Sequence, residues 1–305
     1  GPAVRRRLDH WTPPAEHSLS GRVIAITGAT SGIGREAARQ CAAAGAELVL
    51  LNRNARRAEA VAAALRNAGA AAVTPVECDL ADLESVGRAA RTLEALPALH
   101  GLIHNGGAMA QRLELTPQGL ETTAAVHVVA PFVLTTLCAR RLRDASARII
   151  VVTSGGMYAV PLDVEALRRP REPFDGVRAY ALAKRAQVSL VEQCGPALRE
   201  CGVPLVAMHP GWVDTPGLRT SLPRFRRIMA PLLRSPAEGA AAIAWLLTAP
   251  ADTLGRGALW LDRRPRSAHR SARTRRSDTP QARAQLVRFC RYASGLTPAQ
   301  LRVWN

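Results

Sequence analysis

The stretch Val23-Ile24-Ala25-Ile26-Thr27-Gly28-Ala29-Thr30-Ser31-Gly32-Ile33-Gly34 predicts how the chain folds. Its first four residues form a short apolar run, which is typical of a strand buried on both faces. A turn with three glycines follows, and then a helical pattern that continues to Ala44 and stops at Gly45. Glycines let the backbone approach a pyrophosphate, and the helix N-terminus supplies amide donors. The stretch therefore indicates the first unit of a dinucleotide-binding fold.

The rest of the chain alternates apolar runs with helical patterns. Further strands are predicted at residues 47 to 51, 72 to 77, 99 to 103, 147 to 152, 203 to 208 and 258 to 262. Helices are predicted at residues 54 to 68, 83 to 96, 117 to 141 with a kink at Pro131, and 177 to 200, and a capping box at residues 235 to 238 begins another. This alternation predicts an α/β protein with a single Rossmann-type, doubly wound parallel sheet of about seven strands flanked by helices.

Both ends of the chain depart from the alternation. Residues 1 to 20 are predicted to form an N-terminal arm and residues 21 to 262 the dinucleotide-binding domain. Residues 263 to 305 are predicted to form a C-terminal extension. It begins with an arginine-rich loop that runs to about Pro280 and then continues as a helix at residues 281 to 294.

The net charge is strongly basic but unevenly distributed. The chain has 305 residues, of which 48% are hydrophobic, and a formal net charge of +17. Arg5, Arg6, Arg7 and seven arginines between residues 263 and 276 lie in the two peripheral stretches. Neither stretch has interleaved aromatic residues or a nucleic-acid-binding motif. We therefore expect non-specific attraction to polyanions and no specific nucleic-acid binding.

Cysteine usage and hydropathy limit the class of protein further. The six cysteines are scattered without CxxC pairs, which favours buried thiols over a zinc site or a disulfide framework. The longest apolar stretch, residues 126 to 139, is interrupted by Pro131 and is shorter than the about 20 residues that span a bilayer. No signal-peptide pattern opens the chain. These features predict a cytoplasmic protein without a membrane span.

Tyr180 and Lys184 are the clearest candidates for a reactive pair. Every one of the 41 basic residues except Lys184 is an arginine, and residues four apart lie on one face of a helix. A nearby ammonium stabilises phenolate, so we expect the pKa of Tyr180 to lie below its ordinary value of about 10 and the phenol to act as a general acid. By itself, the pattern also fits a surface lysine near a half-buried tyrosine.

Other candidate residues follow the predicted strands. Asp79 follows the third strand, Asn105 the fourth and Ser154 the fifth, and residues 210 to 215 follow the sixth. Ligands of open α/β sheets bind outside the carboxyl ends of the strands. We therefore expect these residues to surround one site.

Together, these motifs resemble the short-chain dehydrogenase/reductase superfamily. The pattern TGxxxGIG at residues 27 to 34, Ser154, Tyr180 with Lys184, and residues 210 to 215 all contribute to the resemblance. Within the superfamily, four stretches resemble the branch of dehydrogenase/reductase member 12: Thr153-Ser154-Gly155-Gly156-Met157, Pro173-Phe174-Asp175-Gly176, His209-Pro210-Gly211-Trp212 and Leu261-Asp262-Arg263-Arg264-Pro265. The resemblance covers about residues 21 to 269.

The resemblance implies how the catalytic residues divide their roles. In such enzymes a nicotinamide exchanges a hydride with a carbonyl carbon. Tyr180 would exchange a proton with the carbonyl oxygen, and Ser154 would donate a hydrogen bond to that oxygen. Lys184 would lower the pKa of Tyr180 and hold the nicotinamide ribose.

The same resemblance implies a set of cofactor-binding residues at the strand ends. Besides Tyr180 and Lys184, they are Gly28, Ser31, Ile33, Gly34, Arg53, Asp79, Asn105, Gly107, Pro210, Gly211 and Thr215. The glycine-rich turn would hold the pyrophosphate. Asp79 would bind the adenine amino group, Asn105 would lie near the adenine ribose, and Thr215 would bind the carboxamide. Two structural alternatives stay open: Asp79 could cap a helix, and Thr215 could supply the hydroxyl of a turn before Pro216.

Arg53 bears on the choice of cofactor. Sites that prefer NAD end the second strand with an acid that binds the ribose 2′-hydroxyl, whereas an arginine there suits a 2′-phosphate. The second predicted strand ends Leu51-Asn52-Arg53, without an acid. We therefore expect NADP(H) to be favoured over NAD(H). The alternative is one more solvated arginine in an arginine-rich chain.

His127 is the main departure from the family pattern. The family usually places an asparagine at the aligned position, where it holds a water molecule in the proton relay. A histidine could hold that water or pass a proton, and it could equally be a satisfied core residue. Gly106 replaces a common alanine of the family, which should be harmless.

Taken together, the sequence predicts an NADPH-dependent oxidoreductase of the carbonyl reductase type that acts on a small-molecule carbonyl or alcohol. The family usually forms a lid after Pro210, here about residues 216 to 235. Its apolar residues beside arginines favour a largely apolar substrate with an acidic group, although such residues also pack a lid onto its own domain. The alternatives are a catalytically silent NADP-binding sensor or scaffold, and a basic interaction module. A homo-oligomer is open, and no metal site is predicted.

Overall fold

A computed structural model describes residues 15 to 170 and 172 to 304. Eight strands form one sheet: β1 (Val23–Thr27), β2 (Glu47–Asn52), β3 (Val73–Glu77), β4 (Gly101–His104), β5 (Arg148–Val152), β6 (Leu205–Met208), β7 (Leu259–Leu261) and β8 (Arg264–Arg266). Their spatial order is β3-β2-β1-β4-β5-β6-β7-β8. The first seven strands pair in parallel, and β8 pairs with β7 antiparallel. The predicted doubly wound sheet is confirmed.

The central strands are buried on both faces. Ala25 packs into one hydrophobic cluster and its neighbour Ile26 into the other, and Ile149 and Ile150 divide in the same way. Successive side chains of a strand point to opposite faces, so both faces of the sheet must be covered by helices. This is why these strands appear in the sequence as continuous apolar runs without alternation.

Fourteen helices are described, with these bounds: α1 (Gly32–Ala43), α2 (Ala55–Asn67), α3 (Leu83–Glu94), α4 (Thr122–Ala124), α5 (Ala130–Leu137), α6 (Ala139–Asp144), α7 (Val164–Arg168), α8 (Gly176–Glu200), α9 (Pro216–Ser221), α10 (Pro223–Met229), α11 (Pro236–Thr248), α12 (Ala251–Leu254), α13 (Ala272–Ser277) and α14 (Pro280–Ala293). Short 3-10 segments lie at Gly155–Ala159, Ala230–Leu232 and Gln300–Trp304. The capping box predicted at Ser235 and Glu238 is present.

The helix predicted at residues 117 to 141 is interrupted and begins later. Glu121 caps α4, and a π-helical segment, Ala125–Val129, separates α4 from α5. Pro131 has no N–H with which to bond the carbonyl four residues earlier, which belongs to His127. The side-chain amide of Gln187 donates to that carbonyl instead, at 2.8 Å. The predicted disturbance at Pro131 is therefore a π-helical turn stabilised by α8.

The arginine-rich run is folded, and the prediction that it forms a loop to about Pro280 was wrong. Asp262 and Arg263 both have positive φ, the pattern of a tight hairpin turn between β7 and β8. Strand β8 contributes Arg264, Pro265 and Arg266 to the edge of the sheet, where a proline is tolerated. Helix α13 then begins with Ser271 as its cap. These exposed elements lack an apolar periodicity, so the sequence pattern does not reveal them.

The other expectations about the ends and the surface have separate outcomes. Residues 1 to 14 of the predicted arm, including Arg5 to Arg7, lie outside the described residues. Leu19 is fully buried, and its N–H donates to the carbonyl of Ala44 at 2.8 Å. All six cysteines are free thiols, and five of them are buried. Within residues 15 to 170 and 172 to 304, no helix is long and apolar enough to cross a membrane.

Three histidines are buried beneath the carboxyl edge of the sheet. His104 Nε2 lies 2.8 Å from Thr135 Oγ1, and His209 Nδ1 accepts from the N–H of Gly211 at 3.2 Å. Burial lowers the pKa of His104 to about 3 and that of His209 to about 4. Burial, with a smaller effect of Lys184, also lowers the pKa of His127 well below 6.5. All three are therefore neutral at pH 7.

These neutral histidines should make stability fall in mild acid. Above pH 6.5 their contribution is fully present, because the folded and unfolded chains both hold the neutral rings. As pH falls below 6.5 toward about 4, the unfolded chain gains protons that the folded chain excludes. Each histidine should then lower the free energy of unfolding by up to about 1.4 kcal/mol per pH unit. Urea titrations at pH 7.5, 6 and 5 measure this slope.

A pair of variants isolates the effect. His209→Asn should reduce the slope, whereas His17→Asn should leave it unchanged because His17 is exposed. Equal slopes in the wild type and His209→Asn would contradict the assignment.

Candidate active site

The glycine-rich turn leaves no room for side chains. Gly28 has a φ of +68°, and a Cβ added there would lie 2.7 Å from the Cα of Gly106. A Cβ on Gly34 would collide with the side-chain amide of Asn105 and with the carbonyl oxygen of Gly28. The turn after β1 therefore packs directly against the turn after β4.

Asn105 and Thr27 lock these two turns together. The side-chain amide of Asn105 donates to the carbonyls of Thr27 and Gly28 at 3.1 and 3.2 Å. Thr27 Oγ1 accepts from the N–H groups of Asn105 and Gly106 at 3.0 and 2.9 Å. Asn105 thus shapes the glycine-rich turn from behind, a contact that the sequence pattern did not predict.

The start of α1 presents polar groups beyond the turn. Ser31 is the exposed N-cap residue with an extended backbone, and within the described chain its hydroxyl makes no capping hydrogen bond. Ile33 points inward and packs against the second hydrophobic cluster. Ser31 therefore faces the solvent side of the turn, and Ile33 anchors the helix.

The ends of β2 and β3 carry three further polar residues. Asn52 is buried, and neither atom of its amide has a hydrogen-bond partner among the described residues. Arg53 is exposed beside it. Asp79 Oδ1 accepts from the N–H of Ala81 at 3.0 Å. Asp82 is the cap of α3, so the alternative reading of Asp79 as a helix cap is wrong.

Lys184 is a buried residue, and the alternative of a surface lysine is wrong. Only 3% of Lys184 is exposed, and its Nζ donates to the carbonyl of Val152 at 2.8 Å. Thr153 Oγ1 donates back to the carbonyl of Lys184 at 3.0 Å. Nζ also lies 5.5 Å from the ring centroid of Tyr180. These contacts fasten the middle of α8 to the end of β5.

Ser154 and Tyr180 meet at this junction. Ser154 caps the 3-10 segment Gly155–Ala159, and its Oγ accepts from the N–H of Gly156 at 3.3 Å. A hydrogen bond with the Ser154 side chain acts to lower the pKa of Tyr180, but burial of the phenol outweighs it and raises that pKa above 10. Burial also lowers the pKa of Lys184 to about 7.

The expected lowering of the Tyr180 pKa by Lys184 is therefore not found in the protein itself. Helical spacing predicts that the two side chains are neighbours, but burial penalises both charged forms. At neutral pH Tyr180 carries its proton. A buried phenol that keeps its proton can still act as an acid toward a bound oxygen.

His127 lies behind Tyr180 in the π-helical segment. The two rings meet edge to face, with their centroids 5.3 Å apart. His127 Nε2 lies 2.8 Å from the carbonyl oxygen of Ala108, while Nδ1 is buried without a hydrogen-bond partner in the part of the chain that the structure describes. Gly107 passes directly over the ring, because a Cβ there would lie 2.5 Å from Cε1 of His127. The ring of His127 thus packs against the ring of Tyr180.

The turn after β6 is held by a buried arginine. Gly211 has a φ of +81°, and a Cβ there would lie 2.6 Å from Nε of Arg234. Arg234 Nη1 donates to the carbonyl of Pro210 at 3.1 Å and to Asp262 at 2.7 Å. Gly211 therefore makes room for the cation that connects this turn to the hairpin of β7 and β8.

Thr215 connects this turn to α9, in the segment predicted to form a lid. Its Oγ1 accepts from the N–H of Leu218 at 3.2 Å, which makes Thr215 the N-cap of α9. Its methyl group would lie 3.3 Å from a Cβ on Gly32, so the start of the lid adjoins the glycine-rich turn. The hydroxyl therefore has a local role as a helix cap, and its contact with a carboxamide stays a prediction.

Two arginines of the segment predicted to form the lid share one carboxylate. Asp214 makes bidentate pairs with Arg226 and Arg219, at 2.9 to 3.1 Å and 2.9 to 3.0 Å respectively. These guanidinium groups, with Arg226 the stronger, hold the pKa of Asp214 well below its usual range. One of the two positive charges is therefore compensated, and both guanidinium groups are held in place by the same aspartate.

Three buried residues around the site were not predicted: Gln187, Arg234 and Arg185. Gln187 holds the His127 carbonyl, Arg234 holds the turn after β6, and Arg185 bonds the carbonyl of Met157 beyond Ser154. In a chain with so many arginines, nothing in the sequence distinguishes buried Arg234 from the exposed ones. Arg185 could have been suspected only because it adjoins Lys184 on an apolar helix.

Seven parallel strands, a glycine-rich turn after the first, and a serine, tyrosine and lysine beside the fifth define a nucleotide-binding oxidoreductase of the α/β class. The family model for short chain dehydrogenases matches residues 22 to 224. The chain therefore belongs to the short-chain dehydrogenase/reductase family.

Individual relatives agree with this assignment. The chain is 36% identical over 275 residues to dehydrogenase/reductase member 12 of cattle, covering 89% of this chain and 86% of that protein. This confirms the resemblance to the member 12 branch. It is 31% identical over 244 residues to human retinol dehydrogenase 12, covering 78% and 77% of the two chains. A structure from Beutenbergia cavernae with NADP bound at low occupancy is 26% identical, with a TM-score of 0.65 and coverage of 80% and 96%.

The contact between Gly107 and His127 predicts a specific coupling. Gly107→Ala should force the imidazole toward Tyr180 and lower the free energy of unfolding by about 1 to 3 kcal/mol. His127→Asn removes the ring that the new methyl group meets. The double variant should therefore be more stable than the sum of the single effects, by about 0.5 to 3 kcal/mol. Urea unfolding of the four proteins measures the coupling.

Gly87→Ala serves as the control substitution. Gly87 lies within α3, and the nearest atom to an added Cβ is 3.9 Å away, so an alanine should be neutral or stabilising there. Strict additivity of Gly107→Ala and His127→Asn would show that the ring has space to move.

Proposed function

We propose that the protein is an NADPH-dependent carbonyl reductase, or the corresponding alcohol dehydrogenase in reverse, with Tyr180 as the general acid and base. The observation that carries the proposal is the convergence of Ser154, Tyr180 and buried Lys184 at the end of β5. They lie on the same edge of the sheet as the glycine-rich turn. This arrangement puts a proton donor, a hydroxyl and a buried cation beside a nucleotide-binding surface.

The residues of the chain fit a nicotinamide dinucleotide. Gly28 and Gly34 let the glycine-rich turn pack closely against the turn after β4, and a compact turn without side chains would let a pyrophosphate approach its backbone. The hydroxyl of Ser31 and the first amides of α1 would bind its oxygens. Asn52 has a buried amide without a partner in the described structure, and it would be satisfied by the adenosine end of the ligand.

The remaining contacts with the cofactor are inferred from the positions of residues at the ends of the strands. Asp79 would bind the adenine amino group with the carboxylate oxygen that Ala81 does not engage. Asn105 and Gly107 would support the ribose side, and Pro210, Gly211 and Thr215 would contact the carboxamide end. Lys184 would hold the nicotinamide ribose. When bound, the nicotinamide supplies or accepts the hydride at the substrate carbon.

Side chains of the protein would carry out the proton steps of the proposed reaction. Because burial raises its pKa, Tyr180 holds a proton at neutral pH and can donate it from its hydroxyl to the substrate oxygen as charge develops there. The Ser154 hydroxyl would donate a hydrogen bond to the same oxygen. Lys184, as an ammonium, would stabilise the phenolate that Tyr180 leaves behind. His127 stays neutral and would fix the ring of Tyr180 in place.

An apolar substrate is supported by the walls of the site. Trp212 is 48% exposed, and its Nε1 would lie 3.7 Å from a Cβ on Gly155, next to Ser154. On the lid, Ile228 is 77% exposed. The relative named for retinol acts on a largely apolar alcohol, which agrees with this surface. Because Asp214 already engages Arg219 and Arg226 in bidentate pairs, exposed Arg224 and Arg227 are the better candidates to bind an acidic group on the substrate.

Tyr180→Phe tests the proposed acid. The substitution removes only the hydroxyl, so the rate of NADPH oxidation with an active carbonyl should fall about 10² to 10⁴-fold while the Kd for NADPH changes little. The assay uses aldehydes and ketones of increasing apolar chain length. Tyr292→Phe is the matched control, because Tyr292 is 86% exposed.

Two outcomes would contradict the proposal in different ways. Undiminished turnover by Tyr180→Phe would remove Tyr180 from the chemistry. Tight NADPH binding by the wild type without turnover of any carbonyl would favour the silent sensor instead.

Arg53→Ala tests the cofactor preference. A guanidinium bonded to a 2′-phosphate makes charge-assisted hydrogen bonds, which contribute about 1.5 to 3 kcal/mol. The Kd for NADPH should therefore rise roughly 10- to 100-fold, whereas the Kd for NADH should stay nearly constant. Isothermal titration with both nucleotides measures the change.

Arg56→Ala is the matched control, since Arg56 is also exposed and lies nearby in the chain, in the first turn of α2. Equal effects of Arg53→Ala and Arg56→Ala on NADPH would mean that Arg53 is a solvated arginine with no particular role.

A further inference from the structure

The residue after Lys184 connects the catalytic helix to the Ser154 turn. Arg185 is completely buried, and its Nε and Nη2 donate to the carbonyl of Met157 at 3.2 and 2.9 Å. Met157 lies within the 3-10 segment that Ser154 caps. A guanidinium fork thus spans from α8, which carries Tyr180, to the turn that carries Ser154.

The same guanidinium reaches the C-terminal extension. Arg185 Nη2 also donates to the carbonyl of Ala268 at 2.8 Å, and Nη1 lies 3.9 Å from Oδ2 of Asp278. Both residues follow the β7–β8 hairpin. The arginine-rich run therefore returns to the interior and supplies a carbonyl and a carboxylate to a cation beside the active site.

Asp278 is itself held by several groups. Its side chain is fully buried, accepts from Ser189 Oγ at 2.9 Å and from Arg283 Nε at 2.7 Å, and lies 3.6 Å from His269. Arg283 also pairs with Glu192 on α8 at 2.6 Å. Although Glu192, His269 and Asp278 lie close enough to share a metal ion, the two guanidinium groups already compensate both carboxylates. The cluster is an ion-pair network.

Further contacts bind the extension to the same turn. The Tyr158 hydroxyl donates to the carbonyl of Ser267 at 2.9 Å, and the Arg270 guanidinium lies 4.5 Å from the Tyr158 ring centroid. Ser277 Oγ accepts from the N–H of Leu162 at 2.9 Å. The segment after Ser154 is therefore packed between α8 and the extension along its length.

We propose that Arg185 and Asp278 are positioning residues, through which the C-terminal extension holds the Ser154 turn at its working distance from Tyr180. A buried guanidinium without a counter-charge would turn toward solvent or draw in water, and its two bonds to Met157 would weaken. Asp278 keeps the guanidinium in place, and Arg185 transmits that constraint to the turn. The proposal rests on the proposed function, because it assigns a catalytic purpose to the distance between Ser154 and Tyr180.

Asp278→Asn tests the proposal in the full-length chain. The amide keeps the shape, and its single oxygen can still accept from Arg283 while its NH2 group donates to Ser189 Oγ, but the charge is lost. We expect kcat for carbonyl reduction to fall at least tenfold, with the Kd for NADPH within twofold of the wild-type value, because the glycine-rich turn is held independently by Asn105. Hydrogen exchange of the amides of residues 155 to 159 should accelerate.

Two further variants separate positioning from stability. Leu254→Ala truncates a fully buried leucine in the hydrophobic cluster that does not include Met157, and it should lower the melting temperature without affecting kcat or exchange at residues 155 to 159. The double variant Arg185→Met/Asp278→Leu removes both charges, so its stability should recover relative to Asp278→Asn. Its kcat should stay low, because the bonds to the Met157 carbonyl are gone.

Three results of these experiments would contradict the proposal. Wild-type kcat and exchange in Asp278→Asn would overturn it, and so would a loss of kcat in Leu254→Ala at an equal drop in melting temperature. Recovery of kcat in the double variant would show that the network is only structural. Should the wild type lack turnover, the proposed function fails separately, and exchange at residues 155 to 159 in Asp278→Asn then decides whether Asp278 holds the turn.

Discussion

The hydrogen bond from the Lys184 ammonium to the Val152 carbonyl is the contact on which the geometry of the site depends. A buried ammonium must find acceptors, and the carbonyl at the end of β5 is the one that the fold presents. A second hydrogen bond, from Thr153 Oγ1 to the carbonyl of Lys184, also attaches the helix to the end of β5. With both bonds made, α8 cannot slide along the strand. Tyr180, one turn earlier on the same face, is therefore held at the height of Ser154.

Much of the fold could be predicted because each central strand is buried on both faces and each turn has a steric requirement. The run at residues 23 to 26 is typical of a strand buried on both faces, and the glycines after it allow another backbone to approach closely. The helical spacing of Tyr180 and Lys184 correctly predicted that they are neighbours. It did not predict how deeply they are buried, and burial reverses the expected direction of the Tyr180 pKa shift.

Other features depend on contacts between distant parts of the chain, which a local pattern does not contain. The π-helical segment is stabilised by Gln187, which lies 60 residues after the carbonyl that it holds. Strand β8 consists of Arg264, Pro265 and Arg266, which have no apolar alternation and pair only because a tight turn returns them to β7. The contact of Asn105 with the glycine-rich turn likewise requires strands β1 and β4 to be adjacent.

The basic charge of the chain is used in two physically different ways. Most of the arginines of the extension are exposed, but Arg185 and Arg234 are buried, and each is matched by a carboxylate, Asp278 and Asp262. A guanidinium carries five donors in a rigid plane, so one side chain can bond a carbonyl and a carboxylate from different segments at once. Arg234 thereby connects the turn after β6 to the hairpin of β7 and β8, and Arg185 connects the Ser154 turn to the segment after that hairpin. A lysine would supply the same positive charge, but its compact ammonium lacks the planar fork of donors that bonds two segments at once.

The opposite pKa shifts of Tyr180 and Lys184 have one cause and one chemical consequence. Burial disfavours both the phenolate and the ammonium, so the pair favours a protonated phenol beside a lysine whose pKa is about 7. In the proposed reduction, loss of the phenolic proton creates a phenolate next to Lys184, and the affinity of the amine for a proton then rises. Proton donation by Tyr180 would thus draw a proton onto Lys184, from which the phenol can be restored. The burial that opposes charge on each group alone would therefore couple the two groups in the proposed reaction.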